Sequence, residues 1–530
     1  MSKYDLIIKN GIIVDGTGSS PFRADIAIVK DIIAKIGDLT GERAEKIINA
    51  RRLYVAPGFI DMHNHSDVSI FVIPTADNYI RQGVTTIVIG NCGSSPAPIT
   101  ELNRSFVKDS WRPYSEEVAF TWETFGEYLD KLDELKKSVN IVPLIGHGTL
   151  RSAIMGTEDR EPTQKDLKNM KELLIEALEK GAYGLSTGLI YVPGVFSKTD
   201  EIIELAKVVA KYNGIYASHI RNEGTRLIDA VNEVLRIALE AGVSAEISHL
   251  KSSGKPNWGK VGIVLKIIEE YALRGYDISA DAYPYTAAST ELVSLLPAKV
   301  REGGYKELIK RLRDPRVIEE IRKLGLRGID EGLIDAHDIM ISYSPSHEEL
   351  EGKRLDNITR EWGLGITETI AKLLIDDEGA TGMILFTMSE NDVRKVISHP
   401  YVAIGSDGSI KKFGLGKPHP RNYGTFPRVI AKYVREEKIL SLPEAIRKMT
   451  SLPARKLRLW DRGIIRPRMM ADIVVFDYYT IYDTATYENP HSYPKGIKYV
   501  IINGEVVIED EEHTGRKPGK LLRRINVTLH

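Results

Sequence analysis

The chain has 530 residues, 42% hydrophobic and 27% charged, with a formal net charge of −1, enough length for a large core. That balance excludes a protein held to nucleic acid or an anionic membrane by bulk charge, and a single cysteine excludes an intramolecular disulfide. MSKYDLIIKNGIIVDG has no apolar core of signal-peptide length, and no run of about 18 apolar residues suggests a membrane span, so a cytoplasmic setting is expected.

Residues 1–55 read as short strands, DLIIKNGIIVD, ADIAIVKDIIAKIGD and AEKIINARRLYVAP, punctuated by Asn-Gly and Gly-Thr-Gly turn signals. The same texture returns within 465–515, in ADIVVFDYYTIYD and KYVIINGEVVIEDEE. The two ends are therefore expected to pair into one small, discontinuous β-sandwich domain.

Between them, over 56–464, apolar runs alternate with amphipathic helical stretches such as QKDLKNMKELLIEALEKG and LIDAVNEVLRIALEAG, the pattern of a parallel α/β domain. Strands are predicted to end at His65, Cys92, His147, Ser186, His219, His249, Tyr283 and Asp407. They make up the eight that a (β/α)8 TIM-like barrel needs. Two intervals exceed ordinary connections, Gly93 to Asn140 and about 287–400. The second holds VREGGYKELIKRLRDPRVIEEIRKLG and the strand-like GMILFTMSE. An insert after a barrel strand is expected above the active site, a peripheral subdomain being the alternative. The basic stretch 516–530 reads as a solvated tail or a packing strap.

Residue types that bind metal recur at the predicted strand ends: His63, His65, Cys92, His219, His249 and Asp407. Two residues apart on a strand share a face, so His63 and His65 can address one ion, and barrel order brings all six to the catalytic rim. Zinc favours imidazole, thiolate and carboxylate ligands, and a catalytic ion polarises a carbonyl and activates water. Sulfur can bridge two ions, one with His63, His65 and Asp407, the other with Cys92, His219 and His249. Asp407, in Gly-Ser-Asp-Gly after an apolar run, is placed to act as general base and then acid. Singly, each residue reads more readily as core or turn; their joint order is what signals a metal-dependent hydrolase.

APGFIDMHNHSD, GNCGSSPAP, IGHGTLR, GLSTGLIYVPG, SHIRNEG, SHLK, DAYPYTAAST, GSDG and HPRNYGTFPR together resemble the N-acyl-D-amino-acid deacylases (D-aminoacylases) of the amidohydrolase superfamily, over nearly the whole chain. The cysteine of GNCG is the discriminating element, since many superfamily relatives bridge their metals with a carboxylated lysine. The resemblance implies one tight zinc ion on Cys92, His219 and His249, a second, weaker divalent position lined by His63, His65 and Asp407, and Asp407 as general acid/base. It also implies a carboxylate-binding pocket of Lys251, Tyr283, Ser289 and Arg421, with Tyr191 beside the amide. The chemistry agrees: an arginine fork and a lysine ammonium suit a carboxylate, and Lys251 lies two residues beyond His249. His147 is not a ligand in the resembled pattern and reads as structural. The stretch 411–416 is longer than the family's and lacks a histidine the family often has there, which bears on the pocket floor.

The reaction expected is hydrolysis of the acyl-amide bond of an N-acyl-D-amino acid. Alternatives are a metal-dependent dipeptidase acting on peptides with a D-residue, a cyclic amidase of hydantoinase type, which normally has lysine in place of Cys92, and, remotely, a non-catalytic scaffold. The expected partner is a small molecule, an N-acyl amino acid or short peptide. Neither nucleic acid nor membrane is expected, and self-association into a homo-oligomer is compatible with the sequence.

Overall fold

The computed structural model describes residues 3–524. Strand Phe59–Asp61 runs parallel to Val84–Ile89, and that to Asn140–Pro143, which resumes past Leu144 as Ile145–Gly146. Parallel pairing continues through Gly184–Gly188, Ile215–His219, Ser244–Ile247, Ile278–Ala282 and Val402–Ile404. The ring closes where Asp407 N donates to His63 O at 2.8 Å and Asn64 bridges Gly408 in parallel. The result is the eight-stranded (β/α)8 barrel that the alternation predicts.

Sequence explains these elements locally. Val84–Ile89, VTTIVI, is buried at every position, as a parallel strand covered on both faces must be. Helix Gln164–Glu179 starts at a Thr163/Asp166 capping box and buries Met170, Leu174, Ala177 and Leu178, one apolar stripe at helical spacing. Helix Leu227–Ala241 stops at Gly242 in the left-handed conformation.

Strand ends differ from expectation in an instructive way. Among the metal-type residues only His219 lies within its strand, Ile215–His219. His63, His65, Cys92, His249 and Asp407 occupy the turns just beyond Asp61, Ile89, Ile247 and Ile404. Cys92, His249 and Asp407 have φ of 52°, 37° and 51°, backbone that a strand cannot contain and that costs a non-glycine residue about 1–3 kcal/mol. His147 begins helix His147–Met155 instead of closing a strand, and Ser186 falls in mid-strand.

The two ends of the chain share a nine-stranded sheet, joined where Ile473–Phe476 pairs antiparallel with Tyr54–Pro57. Ile26 and Ile28 share one core with Ile473, Val475 and Ile501. Within 287–400 a three-stranded antiparallel sheet, Ala288–Glu291, Gly382–Leu385 and Ile339–Tyr343, carries its own core around Leu292, Leu308, Ile358 and Leu373. Near the C-terminus the chain packs as a strap: Gly519 N donates to Lys137 O, Ile141 N to Lys520 O and Leu522 N to Ile141 O, at 2.8–2.9 Å. Residues 525–530 of the basic stretch lie outside the described residues. Among the described residues no helix is long and apolar enough to cross a membrane.

Candidate active site

The turns beyond the strands converge on Cys92. Its Sγ lies 3.3 Å from His63 Nε2, 3.4 Å from His249 Nε2 and 3.6 Å from His219 Nδ1. Asp407 Oδ1 is 3.6 Å from His63 Nε2 and 3.1 Å from His65 Nε2. Donor atoms of His63, Cys92, His249 and Asp407 all fall within 4.8 Å of one another. His65, partly exposed at the mouth, reaches the group through Asp407. Tetrahedral zinc, with bonds of about 2.3 Å to sulfur and 2.0–2.1 Å to nitrogen, sets sulfur and nitrogen roughly 3.5 Å apart. The Cys92–imidazole separations match that spacing, so the donor set fits such an ion.

Carboxylates behind the imidazoles hold them in place. Asp281 Oδ1 lies 3.4 Å from His63 Nδ1 and accepts the His249 N–H at 2.9 Å. Glu223 Oε1 is 3.0 Å from His249 Nδ1 and 2.6 Å from Lys251 Nζ. Buried Asp61 accepts Ser406 N at 2.7 Å and Ser406 Oγ at 2.6 Å, tying the Asp407 turn to the His63 turn. None of these three carboxylates was singled out from sequence, although Glu223 stands in SHIRNEG and Asp281 in DAYPYTAAST, motifs already distinguished by their neighbours.

Charge follows from this packing. Burial pushes the Cys92 thiol up, but His63 and His249 outweigh it and hold it well below its ordinary value. Burial likewise opposes ionisation of Asp407, and Arg421, His249 and His65 overcome it, holding the carboxyl well below its usual range. Burial lowers His219, keeping the neutral imidazole that binds a cation.

The nest opens into a cavity of about 500 Å³ lined from the barrel rim and from both long intervals, including Trp111, Tyr191, Ser289, Leu308 and Arg421. Arg421 Nη1 donates to Asp407 Oδ2 at 2.7 Å and Nη2 to Ser289 O at 3.2 Å, leaving Nε without a partner. The Tyr283 ring packs under both cations, 4.8 Å from Arg421 and 5.6 Å from Lys251. Tyr191 stands edge-on to His219, with its hydroxyl 3.1 Å from Thr290 Oγ1. Ser289 lines the cavity, but its hydroxyl donates to Met383 O at 3.0 Å within the insert sheet. His147 lies outside the cavity wall, buried at 2.9 Å from Glu201 Oε1, beside the Arg151–Glu201 pair at 2.5 Å.

A closed barrel with cysteine, histidine and carboxylate donors gathered over its rim defines the class of metal-dependent barrel hydrolases. The chain belongs to the amidohydrolase family, whose model matches residues 46–508. It is 36% identical to a D-aminoacylase of Alcaligenes xylosoxydans xylosoxydans, over 98% of each chain. An N-acyl-D-glutamate deacylase of the same organism is also 36% identical, over 98% of this chain and 97% of the other. An N-acyl-D-glutamate deacylase from Bordetella bronchiseptica, solved with zinc and a phosphonate mimic of the tetrahedral intermediate, superposes with a TM-score of 0.84. That match has 34% identity and covers 98% of this chain and 100% of that one.

Proposed function

We propose that the protein is a zinc-dependent deacylase that hydrolyses the acyl-amide bond of N-acyl-D-amino acids, releasing a carboxylate and a free D-amino acid. The observation that carries this reading is the Cys92 nest, with Asp407 at its edge and Lys251 and Arg421 on the adjoining cavity wall, both packed over the Tyr283 ring. Cys92, His219 and His249 would hold one tight ion, with His63, His65 and Asp407 lining a weaker second position. Bound there, the ion supplies polarisation of the scissile carbonyl and activation of water.

The chain's own groups supply the rest. Asp407, ionised at neutral pH and facing the nest, takes the proton of the attacking water. As the C–O bond forms and the C–N bond breaks, the same carboxyl returns that proton to the departing amine. Arg421 has a free Nε, and Lys251 offers an ammonium two residues from His249, so together they anchor the substrate carboxylate over the Tyr283 ring. Tyr191 flanks the amide from the His219 side. Three fixed contacts, to carboxylate, carbonyl and amine, distinguish one Cα configuration from the other.

Steady-state hydrolysis of N-acetyl-D-methionine against N-acetyl-L-methionine tests the reading, with matched D- and L-dipeptides alongside. Release of D-methionine alone is the expected result. Cleavage of dipeptides without cleavage of the acetylated amino acid would overturn the substrate assignment.

A further inference from the structure

The carboxylate-binding side of the site is built from two loops, and one buried histidine joins them. Tyr283 and Ser289 follow strand Ile278–Ala282, while Arg421 opens helix Arg421–Arg428, beyond strand Val402–Ile404. A helix begins with backbone N–H groups that have no partner inside it, and Pro420, at the cap, has no side chain to accept from them. His419 fills that role from one residue further back. Its Nδ1 accepts the Arg421 N–H at 3.0 Å, and its Nε2 lies 2.9 Å from Ala287 O, two residues before Ser289. A ring nitrogen that accepts carries no proton, so the proton sits on Nε2 and is donated to Ala287 O.

This bridge is buried and packed. His419 is 1% exposed, and the rings of Tyr285 and Tyr487 stand edge-on to it at 5.2 and 5.1 Å. Burial, and then the Arg421 charge, hold its pKa well below the ordinary value, which preserves the form able to accept at Nδ1. The same segment is tied to the Asp407 turn: Asn422 Nδ2 donates to His419 O at 2.7 Å, and Ser409 N donates to Asn422 Oδ1 at 2.8 Å. Arg421 lies between the two ties, with Nη1 on Asp407 Oδ2 and Nη2 on Ser289 O. The imidazole therefore sets where the guanidinium stands over the Tyr283 ring, now 4.8 Å away. Both ring nitrogens are committed to backbone groups, so His419 offers the substrate no polar contact of its own.

We propose that His419 is a positioning residue for substrate recognition, its imidazole fixing Arg421 against the loop of Tyr283 and Ser289 so that the guanidinium meets the substrate carboxylate. This rests on the deacylase reading and deepens it. The histidine acts through Arg421, and its effect is confined to substrates that carry the carboxylate.

The test follows acetate release by zinc-loaded enzyme from N-acetyl-D-methionine and from N-acetyl-D-methioninamide, which lacks the carboxylate. The wild type is expected to favour the acid in kcat/KM by more than about tenfold, the scale of a charge-assisted hydrogen bond. In His419→Leu the acid-to-amide ratio should fall by about tenfold, mainly through KM for the acid, because a displaced guanidinium loses its geometry on the carboxylate. His419→Asn, which puts an oxygen where Nδ1 stands, should restore most of the ratio. His419→Gln keeps a donor for Ala287 O but leaves the Arg421 N–H without its acceptor; it should match His419→Leu, and it replaces that variant if leucine prevents folding. In Arg421→Met the ratio should collapse, and adding His419→Leu should lower it no further. A wild-type ratio near one, a ratio that survives in His419→Leu and His419→Gln, or a further fall in the double variant overturns the positioning role while leaving the deacylase standing. Acetate release from neither compound by the wild type overturns both.

Discussion

Asp281 meets the His63 imidazole and the His249 backbone N–H from one position, and replacing it separates two jobs. Its Oδ1 lies 3.4 Å from His63 Nδ1 and accepts the His249 N–H at 2.9 Å. Asp281→Asn keeps an oxygen for that N–H and removes the negative charge behind His63. A full unit-charge pair at this distance, at an effective dielectric near 20, sets a ceiling of about 5 kcal/mol. Metal-binding histidines that lose such a partner typically lose 10–100-fold in metal affinity, about 1.4–2.7 kcal/mol, because the ion and solvent take up part of the change. The expected result is therefore a zinc Kd raised 10–100-fold, read by competition with a chromogenic chelator, with little change in urea stability of the zinc-free protein. Asp281→Ala also strands the N–H of His249, on backbone already at φ 37°, and should cost a further ~1–3 kcal/mol of stability. Unchanged zinc affinity in Asp281→Asn, or equal stability losses in both variants, would refute the reasoning.

Three further outcomes are expected. Asp407→Asn should lower kcat by about 10²–10⁴ while metal analysis still finds zinc bound at the Cys92 nest. Glu201→Gln leaves Arg151 buried without its counter-charge and should cost about 3–5 kcal/mol in urea denaturation, with KM unaffected, since Glu201 lies outside the cavity wall. Lys448 is fully buried and burial lowers its pKa from 10.5 to about 7. The unfolded chain thus binds more protons than the native one between those values, and stability rises with pH across that window. Lys448→Met should therefore stabilise the protein at pH 6, by ~2–3 kcal/mol once the lost bond to His399 O is subtracted from the ~5 kcal/mol that such a shift represents. The gain should fade by pH 10, as parallel urea titrations at the two pH values will show.

The barrel was legible because its strands are short, apolar and β-branched, as in TTIVIG and YVAIG, while the helices between them carry a clean apolar stripe. The residues that meet at the nest were legible for a related reason, since each follows such a run and the barrel delivers those positions to one rim. Exact strand ends were not, because the donors sit in turns whose left-handed backbone is imposed by tertiary contacts such as Asp281 to His249 N and His63 O to Asp407 N. His147 ends an apolar run too, yet the chain turns straight into a helix there and the imidazole finds Glu201. Supporting carboxylates have no one-dimensional signature: Glu223 and Asp281 matter through distances to residues far along the chain.

The most direct test of the account is a zinc titration of metal-stripped enzyme, following release of D-methionine from N-acetyl-D-methionine. Activity absent without metal, rising to a plateau at one equivalent and lost in Cys92→Ala, is the result predicted. Full activity in the stripped enzyme, or in zinc-loaded Cys92→Ala, would contradict it.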